Sequence, residues 1–363
     1  VARELRKLEP AAPLVVVSRD EASFYSKPML SNALAAGKSA QQLESASAQQ
    51  MAEQLRARVL AGVEVDAIDT EGHVVHVAGE SIRYSKLVLA LGADPIAVPM
   101  EGDATGEVLQ VNDLAGYARF RAAIEGKRRI ALLGAGLIGC EFANDLAAAG
   151  FGVDVIDPAP RPLGRLLPDA AAERLRAALE KIGVRWHLGT TASAASRSAS
   201  GLRVTLANGG VIETDVVLSA IGLRPRTQLA QCAGLKVARG IVTDRLLQTS
   251  APDVHALGDC AEVDGQVLPF VMPIMHAARA LAKTLAGAPA PVIYPPMPVV
   301  VKTPAMPAVV SPPPTIAGAW RVIEDAAGVE ALYEDEAGRL RGFALVGAAC
   351  ARKNALAKEL PPN

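Results

Sequence analysis

The stretch "RRIALLGAGLIGCEFANDL", residues 128–146, constrains this chain more than any other. Its apolar, β-rich run ends in Gly134-Ala135-Gly136-Leu137-Ile138-Gly139. A segment of helical period follows, with Ile138, Phe142 and Leu146 recurring on one face. The next apolar run, "FGVDVID", ends in Asp157. A strand, a glycine turn, a helix and a second strand closed by an acid make a Rossmann dinucleotide-binding unit. Gly134 permits the tight turn, Gly136 lets a pyrophosphate approach the backbone, and Gly139 lets the helix pack on the strand. The phosphates take the free N–H groups at the helix start, where the helix dipole favours negative charge. Asp157 lies about 20 residues beyond the turn, where a carboxylate accepts both ribose hydroxyls. A 2′-phosphate would meet like charge there, which favours NADH over NADPH. Arg161 and Arg165, in a loop set by Pro158 and Pro160, could reverse that preference.

Such a unit usually opens a domain, yet here it sits in mid-chain. The first residues, "VARELRKLEP", put Val1, Leu5 and Leu8 on one helical face, and "PLVVVSRD" reads as a buried strand. These look like the helix and second strand of another Rossmann unit, whose first strand and glycine loop are expected upstream of residue 1. A further buried strand, residues 87–91 in "YSKLVLALGADP", is stopped by Gly92 and Pro95. Beyond the central unit, "RVTLANGGVIETDVVLSAIG" reads as a hairpin turning at Asn208-Gly209, then a buried strand over residues 216–220. A short strand in "DVHALGDCAEV" ends at Gly258-Asp259. Two strands on opposite sides of an insertion fit one discontinuous domain interrupted by another. The prolines of "PPMPVVVKTPAMPAVVSPPP" exclude helix and mark edge strands. From about Tyr294, the alternation in "WRVIED", "VEALYED" and "GFALVG" predicts a small antiparallel sheet with a terminal helix.

The expected fold is α/β. It has two Rossmann-like dinucleotide-binding domains, the NAD domain inserted in the other, and a small C-terminal α+β domain. The bounds read as 1–99 and 227–293 for the interrupted domain, 100–226 for the insertion and 294–363 for the C-terminal part.

Charge and cysteine usage exclude other classes. Lys and Arg number 37 against 38 Asp and Glu, a net charge of −1, so no global field draws in nucleic acid or an anionic membrane. No apolar run has the length a bilayer demands, and the charged start is unlike a signal peptide, so the expectation is a cytoplasmic protein. Cys140, Cys232, Cys260 and Cys350 form no C-x-x-C pair and suggest neither disulfide framework nor zinc site. Only His73 and His76 are close among the five histidines, and a hairpin surface explains them better than a metal.

Five stretches carry a family likeness: "SFYSKPMLS", "GAGLIGCEFANDL", "SAIGLRPRT", "HALGDCAEVDG" and "VKTPAMPAVVSPPP". In these the chain resembles, over essentially its whole length, the FAD-dependent pyridine nucleotide–disulfide oxidoreductases, and the last stretch is similar to their rubredoxin reductase branch. The resemblance implies FAD and NADH as cofactors. It implies that Asp259 hydrogen-bonds the ribityl chain of FAD, although an aspartate there can equally cap the following helix. Lys27 and Lys302 would lie beside the flavin; alone they read as a solvated lysine and a β-edge lysine. Glu141 would sit where nicotinamide meets flavin; alone it is a first-turn helix acid favoured by the dipole. Val65 would touch the adenine side of FAD, Val271 the ring side, and Ser18 and Arg19 the adenosine ribose. The NAD set is Gly134, Gly136, Ile138, Gly139, Asp157 and Gly222. No cysteine precedes Cys140, so the thiol pair of the disulfide reductases is missing and no thiol relay is expected. Electrons would leave singly for rubredoxin, a small acidic iron carrier, which supplies systems such as an alkane hydroxylase. Arg339, Arg341 and Lys353 are the docking candidates. A flavorubredoxin or ferredoxin reductase, or a non-catalytic flavin-binding sensor, are the alternatives.

Overall fold

Five parallel strands form the centre of the protein in a computed structural model that describes residues 1–361. Their order is Leu109–Gln110, Val216–Ser219, Arg129–Leu133, Gly152–Asp157 and Val184–Leu188. Successive side chains alternate between two faces. Ile130, Leu132, Val153, Val155 and Leu218 join the core that holds helices Leu137–Ala148 and Asp169–Lys181. Ala131, Leu133, Ile156 and Val217 face a three-stranded antiparallel meander, Ala192–Ser198, Gly201–Leu206 and Val211–Thr214. Covered on both sides, the inner strands read as unbroken apolar runs. The expected hairpin turns at Asn208-Gly209, with Gly209 at φ +85°.

The chain enters and leaves this unit through one ribbon, in which Ala93–Pro95 pairs antiparallel with Leu223–Pro225. Strands from either side of the insertion, Leu87–Leu89 and Val254–Ala256, pair in parallel. They share a second core with helix Val271–Leu285, through Leu89, Val254, Ala256, Ala277 and Leu281.

The start of the chain departs from expectation in two places. Helix Ala2–Leu8 buries Leu5, but Leu8 is exposed because the helix ends there. Strand Val15–Ser18 is only half-buried, with Val15 exposed. Among the described residues its ladder partner is Arg58–Ala61 alone, so one edge lacks the cover that a buried strand has.

A second five-stranded sheet, wholly antiparallel, runs in the order Val299–Val301, Ala308–Ser311, Leu340–Gly347, Gly328–Asp335, Gly318–Glu324. One face carries Val301, Val310, Val329, Ala331 and Val346 into the same core as Ala171, Leu175 and Leu179 of helix Asp169–Lys181. The other face, with Val309, Phe343 and Leu345, is covered by Leu356 and Leu360 at the terminal helix Lys353–Glu359. Because the cores are continuous, the small sheet is held against the central unit. Among the described residues no helix is long and apolar enough to cross a membrane.

Candidate functional site

Helix Leu137–Ala148 is the axis of the site, and the glycines before it fix its position. Gly134 has φ +104°, and a Cβ there would lie 2.6 Å from the Ala220 carbonyl oxygen. A Cβ on Gly139 would fall 2.0 Å from the Gly134 carbonyl oxygen, well inside contact distance. Gly136, the N-cap, behaves differently. No side chain caps the helix, and nothing lies within 4 Å of where its Cβ would be. The first helical N–H groups therefore face open space at the positive end of the dipole, which suits a pyrophosphate. A dinucleotide fits this cradle.

Asp157 closes the adjacent strand as expected, but its carboxylate is partly engaged. One oxygen accepts the Ala135 N–H at 2.6 Å and the other the Ala159 N–H at 2.7 Å. It holds the glycine loop. Arg161 is drawn off to Asp169 at 2.6 Å. Gly222, with φ +128°, accepts the Ile96 N–H at the ribbon between the units.

The helix is enclosed from Gly139 to Ala147. Phe142 and Leu146 are buried on the expected apolar face while Ile138 is half-buried. Glu141 is only 1% exposed and is met by four donors. Lys302 gives its backbone N–H at 2.9 Å and its Nζ at 2.5 Å; Ser31 Oγ donates at 2.6 Å and Asn32 Nδ2 at 3.3 Å. Lys302 Nζ also donates to the Pro28 carbonyl at 2.6 Å. A buried carboxylate is tolerable only when paired and hydrogen-bonded, and both conditions hold here.

Pro28 belongs to the one-turn helix Lys27–Met29, so the same turn presents Lys27. The Lys27 ammonium stands 3.7 Å from Asp259, in the turn Gly258–Cys260. Val271 begins helix Val271–Leu285 with half its surface exposed, and no side chain caps that helix. These three elements give the ring and ribityl side of a flavin an ammonium, a carboxylate and a set of free N–H groups. The ring side fits.

The remaining candidates lie apart. Val65 starts strand Val65–Asp69 and leans on the second core. Ser18 Oγ donates to Asp20, while Arg19 and Arg226 both hold Asp94, at 3.2 and 2.5 Å. Arg226 above all keeps the Asp94 carboxyl below the usual range. Arg339 and Arg341 are engaged by Asp335, at 3.1 and 2.8 Å, whereas Lys353 has no ion-pair partner among the described residues. Two docking candidates are thus partly neutralised by a hairpin aspartate. No cluster of three or more metal-ligating side chains occurs among the described residues; His73 stacks on Tyr84 and His76 meets Ser81.

All four cysteines are free thiols. Cys140 and Cys260 are buried, and burial pushes both thiols up, away from the reactive thiolate. Changing all four to Ala or Ser is expected to leave NADH-to-dye activity within about two-fold, since Cys140 and Cys260, the two on the elements of the site, are buried. Activity lost in Cys140→Ala with flavin still bound would refute this.

Residues 1–283 match the model of the pyridine nucleotide-disulphide oxidoreductases. The chain belongs to that family. Residues 291–360 also match a rubredoxin binding C-terminal domain. Among similar proteins is the rubredoxin-NAD(+) reductase of Alcanivorax borkumensis, 50% identical over 361 residues, covering 99% of this chain and 94% of that protein. The nitric oxide reductase FlRd-NAD(+) reductase of Aeromonas hydrophila is 39% identical over 369 residues, covering 99% and 93%. Of solved structures, the covalent putidaredoxin reductase-putidaredoxin complex superposes with a TM-score of 0.88 at 25% identity, covering 99% of this chain and 90% of that one.

Sequence reasoning missed Asn144 and Asp145. Both are buried on the Glu141 side of the helix. Their signal was available: positions 141, 144 and 145 share one helical face. In a lone helix that face reads as solvent.

Proposed function

We propose that this chain is an FAD-dependent NADH reductase that hands electrons singly to rubredoxin, in the cytoplasm. The rubredoxin-binding match at residues 291–360, on a chain whose Lys302 from that part meets Glu141 of the dinucleotide helix, carries the reading. Flavin, when bound, would supply the chemistry of hydride acceptance from NADH and single-electron release.

The protein's own residues place and exclude. In this reading 1–99 and 227–293 hold FAD, 100–226 hold NADH, and 294–363 receive the carrier. The N–H groups after Gly136, with Gly134, Ile138, Gly139 and Gly222 shaping the loop, take the NADH pyrophosphate. Asp157 keeps lone pairs for the ribose hydroxyls and repels a 2′-phosphate. Asp259 accepts from the ribityl chain, Lys27 and Lys302 bring positive charge to the ring, and Glu141 closes the floor beneath both. Val271 contributes to the ring side, and Ser18, Arg19 and Val65 to the adenosine side. No general acid or base is required; orientation contributes several kcal/mol of the barrier.

A flavorubredoxin is the second acceptor to consider, because the Aeromonas relative covers the same full length. Salt separates docking from chemistry. Electron carriers dock through small, weak, charge-steered interfaces, and screening acts within about 8 Å at physiological ionic strength. Rubredoxin reduction is expected to fall steeply along a salt series, while ferricyanide reduction changes little. A rubredoxin rate indifferent to salt, or faster turnover with a ferredoxin, would overturn the assignment.

A further inference from the structure

Two loops that carry the site's lysines are fastened to one helix by Glu141 and by two further buried residues with no role assigned above. Asp145 is buried, and its two carboxylate oxygens accept the backbone N–H groups of Leu34 at 2.9 Å and Ala35 at 3.0 Å. Asn144, also buried, accepts the Ala305 N–H through Oδ1 at 3.0 Å. Glu141, one turn earlier, takes Ser31 and Asn32 of the first loop and Lys302 of the second. Each loop is therefore gripped at two points: the first by Glu141 and Asp145, the second by Glu141 and Asn144. The start of that helix is the dinucleotide cradle, where Gly136 leaves open space.

Burial of Asp145 is costly, since it pushes the carboxyl above its ordinary range and only the Leu34 and Ala35 N–H groups and more distant cations oppose it. An apolar residue would fill the same space without that cost, but it would offer the first loop no acceptor. We propose that Asn144 and Asp145 are positioning residues. They set the Lys27 and Lys302 loops in one register on the helix whose N-terminus binds NADH, so that both lysines and Glu141 meet the reacting rings in a single geometry. The inference rests on the function proposed above and adds two residues to it.

The test uses flavin-loaded protein and four chains: the parent, Asp145→Asn, Asn144→Leu and Asn144→Asp. An asparagine at 145 has one oxygen for two N–H groups, and its own NH₂ faces the other. An aspartate at 144 keeps the acceptor and, read at a pH low enough to hold that buried, cation-free carboxyl neutral, serves as the conservative rescue. Flavin bleaching is followed in a stopped-flow instrument to give the limiting rate per bound flavin and the NADH dissociation constant. Amide hydrogen exchange is read at the two loops.

Misplacement by about 1 Å can cost 100-fold in rate, so a slowing of about ten-fold or more is expected in Asp145→Asn and Asn144→Leu, with NADH affinity within about two-fold. Exchange should quicken at Leu34 and Ala35 in the first variant and at Ala305 in the second. Asn144→Asp should keep the parent rate. A purely structural role would lower the melting temperature and leave the limiting rate per flavin unchanged; that result, or Asn144→Asp as slow as Asn144→Leu, overturns the proposal. A parent that NADH does not bleach ends the functional reading and this inference together, whereas a bleached parent with equally fast variants ends only this one.

Discussion

Lys302→Met is expected to destabilise the protein more than the double change Lys302→Met with Glu141→Gln. Removing one partner of a buried ion pair costs about 3–5 kcal/mol, because the other charge is left uncompensated. Two features place Lys302→Met at the low end of that range. The Lys302 side chain keeps 31% of its surface in solvent, and Glu141 retains the Ser31 hydroxyl, the Asn32 amide and the Lys302 backbone N–H as donors. Those donors compensate hydrogen bonds but not charge. With Gln at 141 the charge is gone, the neutral oxygen still accepts from them, and most of the penalty should be recovered. Urea or thermal unfolding of the parent, both singles and the double gives the coupling directly. If the double is less stable than Lys302→Met, the pair is not the electrostatic unit described. Activity reads separately: all three variants lose a group assigned above to the proposed flavin site, so recovery of stability in the double should not restore the rate of flavin bleaching.

This pair also shows what the sequence could and could not reveal. The glycine turn, its helix and the following acid are local features, and local sterics dictate them; they survive translation into structure with little change. So do the strands buried on both faces, such as Val216–Ser219, whose apolar runs admit one reading. Leu8 and Val15 were misjudged because their burial depends on what packs beyond them, which no periodicity states. The polar side of helix Leu137–Ala148 is the sharper case. Glu141, Asn144 and Asp145 make a polar stripe beside the apolar one, and a polar stripe on a helix is ordinarily read as its solvent side. Here residues 31–35 and 302–305, distant in sequence, close over that stripe and consume its hydrogen bonds. Family likeness put Glu141 and the lysines near the flavin, but only tertiary structure joins Glu141 to Lys302 and Lys27 to Asp259. The pairing of Arg339 and Arg341 with Asp335 was illegible for a similar reason: only the hairpin brings the three together.

The other large effect is expected at Gly139. Alanine is the smallest possible intrusion and a better helix former than glycine, so on propensity alone Gly139→Ala should stabilise the helix by about 1 kcal/mol. The close approach decides otherwise. Its Cβ would stand 2.0 Å from the Gly134 carbonyl oxygen and 2.9 Å from the Gly134 carbonyl carbon, both backbone atoms that cannot swing aside as a side chain would. Gly134 is itself pinned, since its N–H bonds the Ile156 carbonyl at 2.8 Å and Ala220 blocks its other side. The helix must therefore move away from the strand, and its N-terminus moves with it. That shift moves the uncapped N–H groups after Gly136, proposed to take the NADH pyrophosphate, and it carries Glu141 off the Lys302 loop. A displacement near 1 Å is worth about 100-fold in rate, so Gly139→Ala should weaken NADH binding and slow flavin bleaching together, by at least that factor in kcat/KM. Gly136→Ala is the matched control. Its Cβ meets nothing in the protein, so the fold should be unaffected and only the bound dinucleotide should feel the methyl group. Melting curves and NADH titrations of both variants decide it. A Gly139→Ala protein with parental melting temperature and parental NADH affinity would mean that the strand and helix can part without cost, and that the close approach does not hold the site.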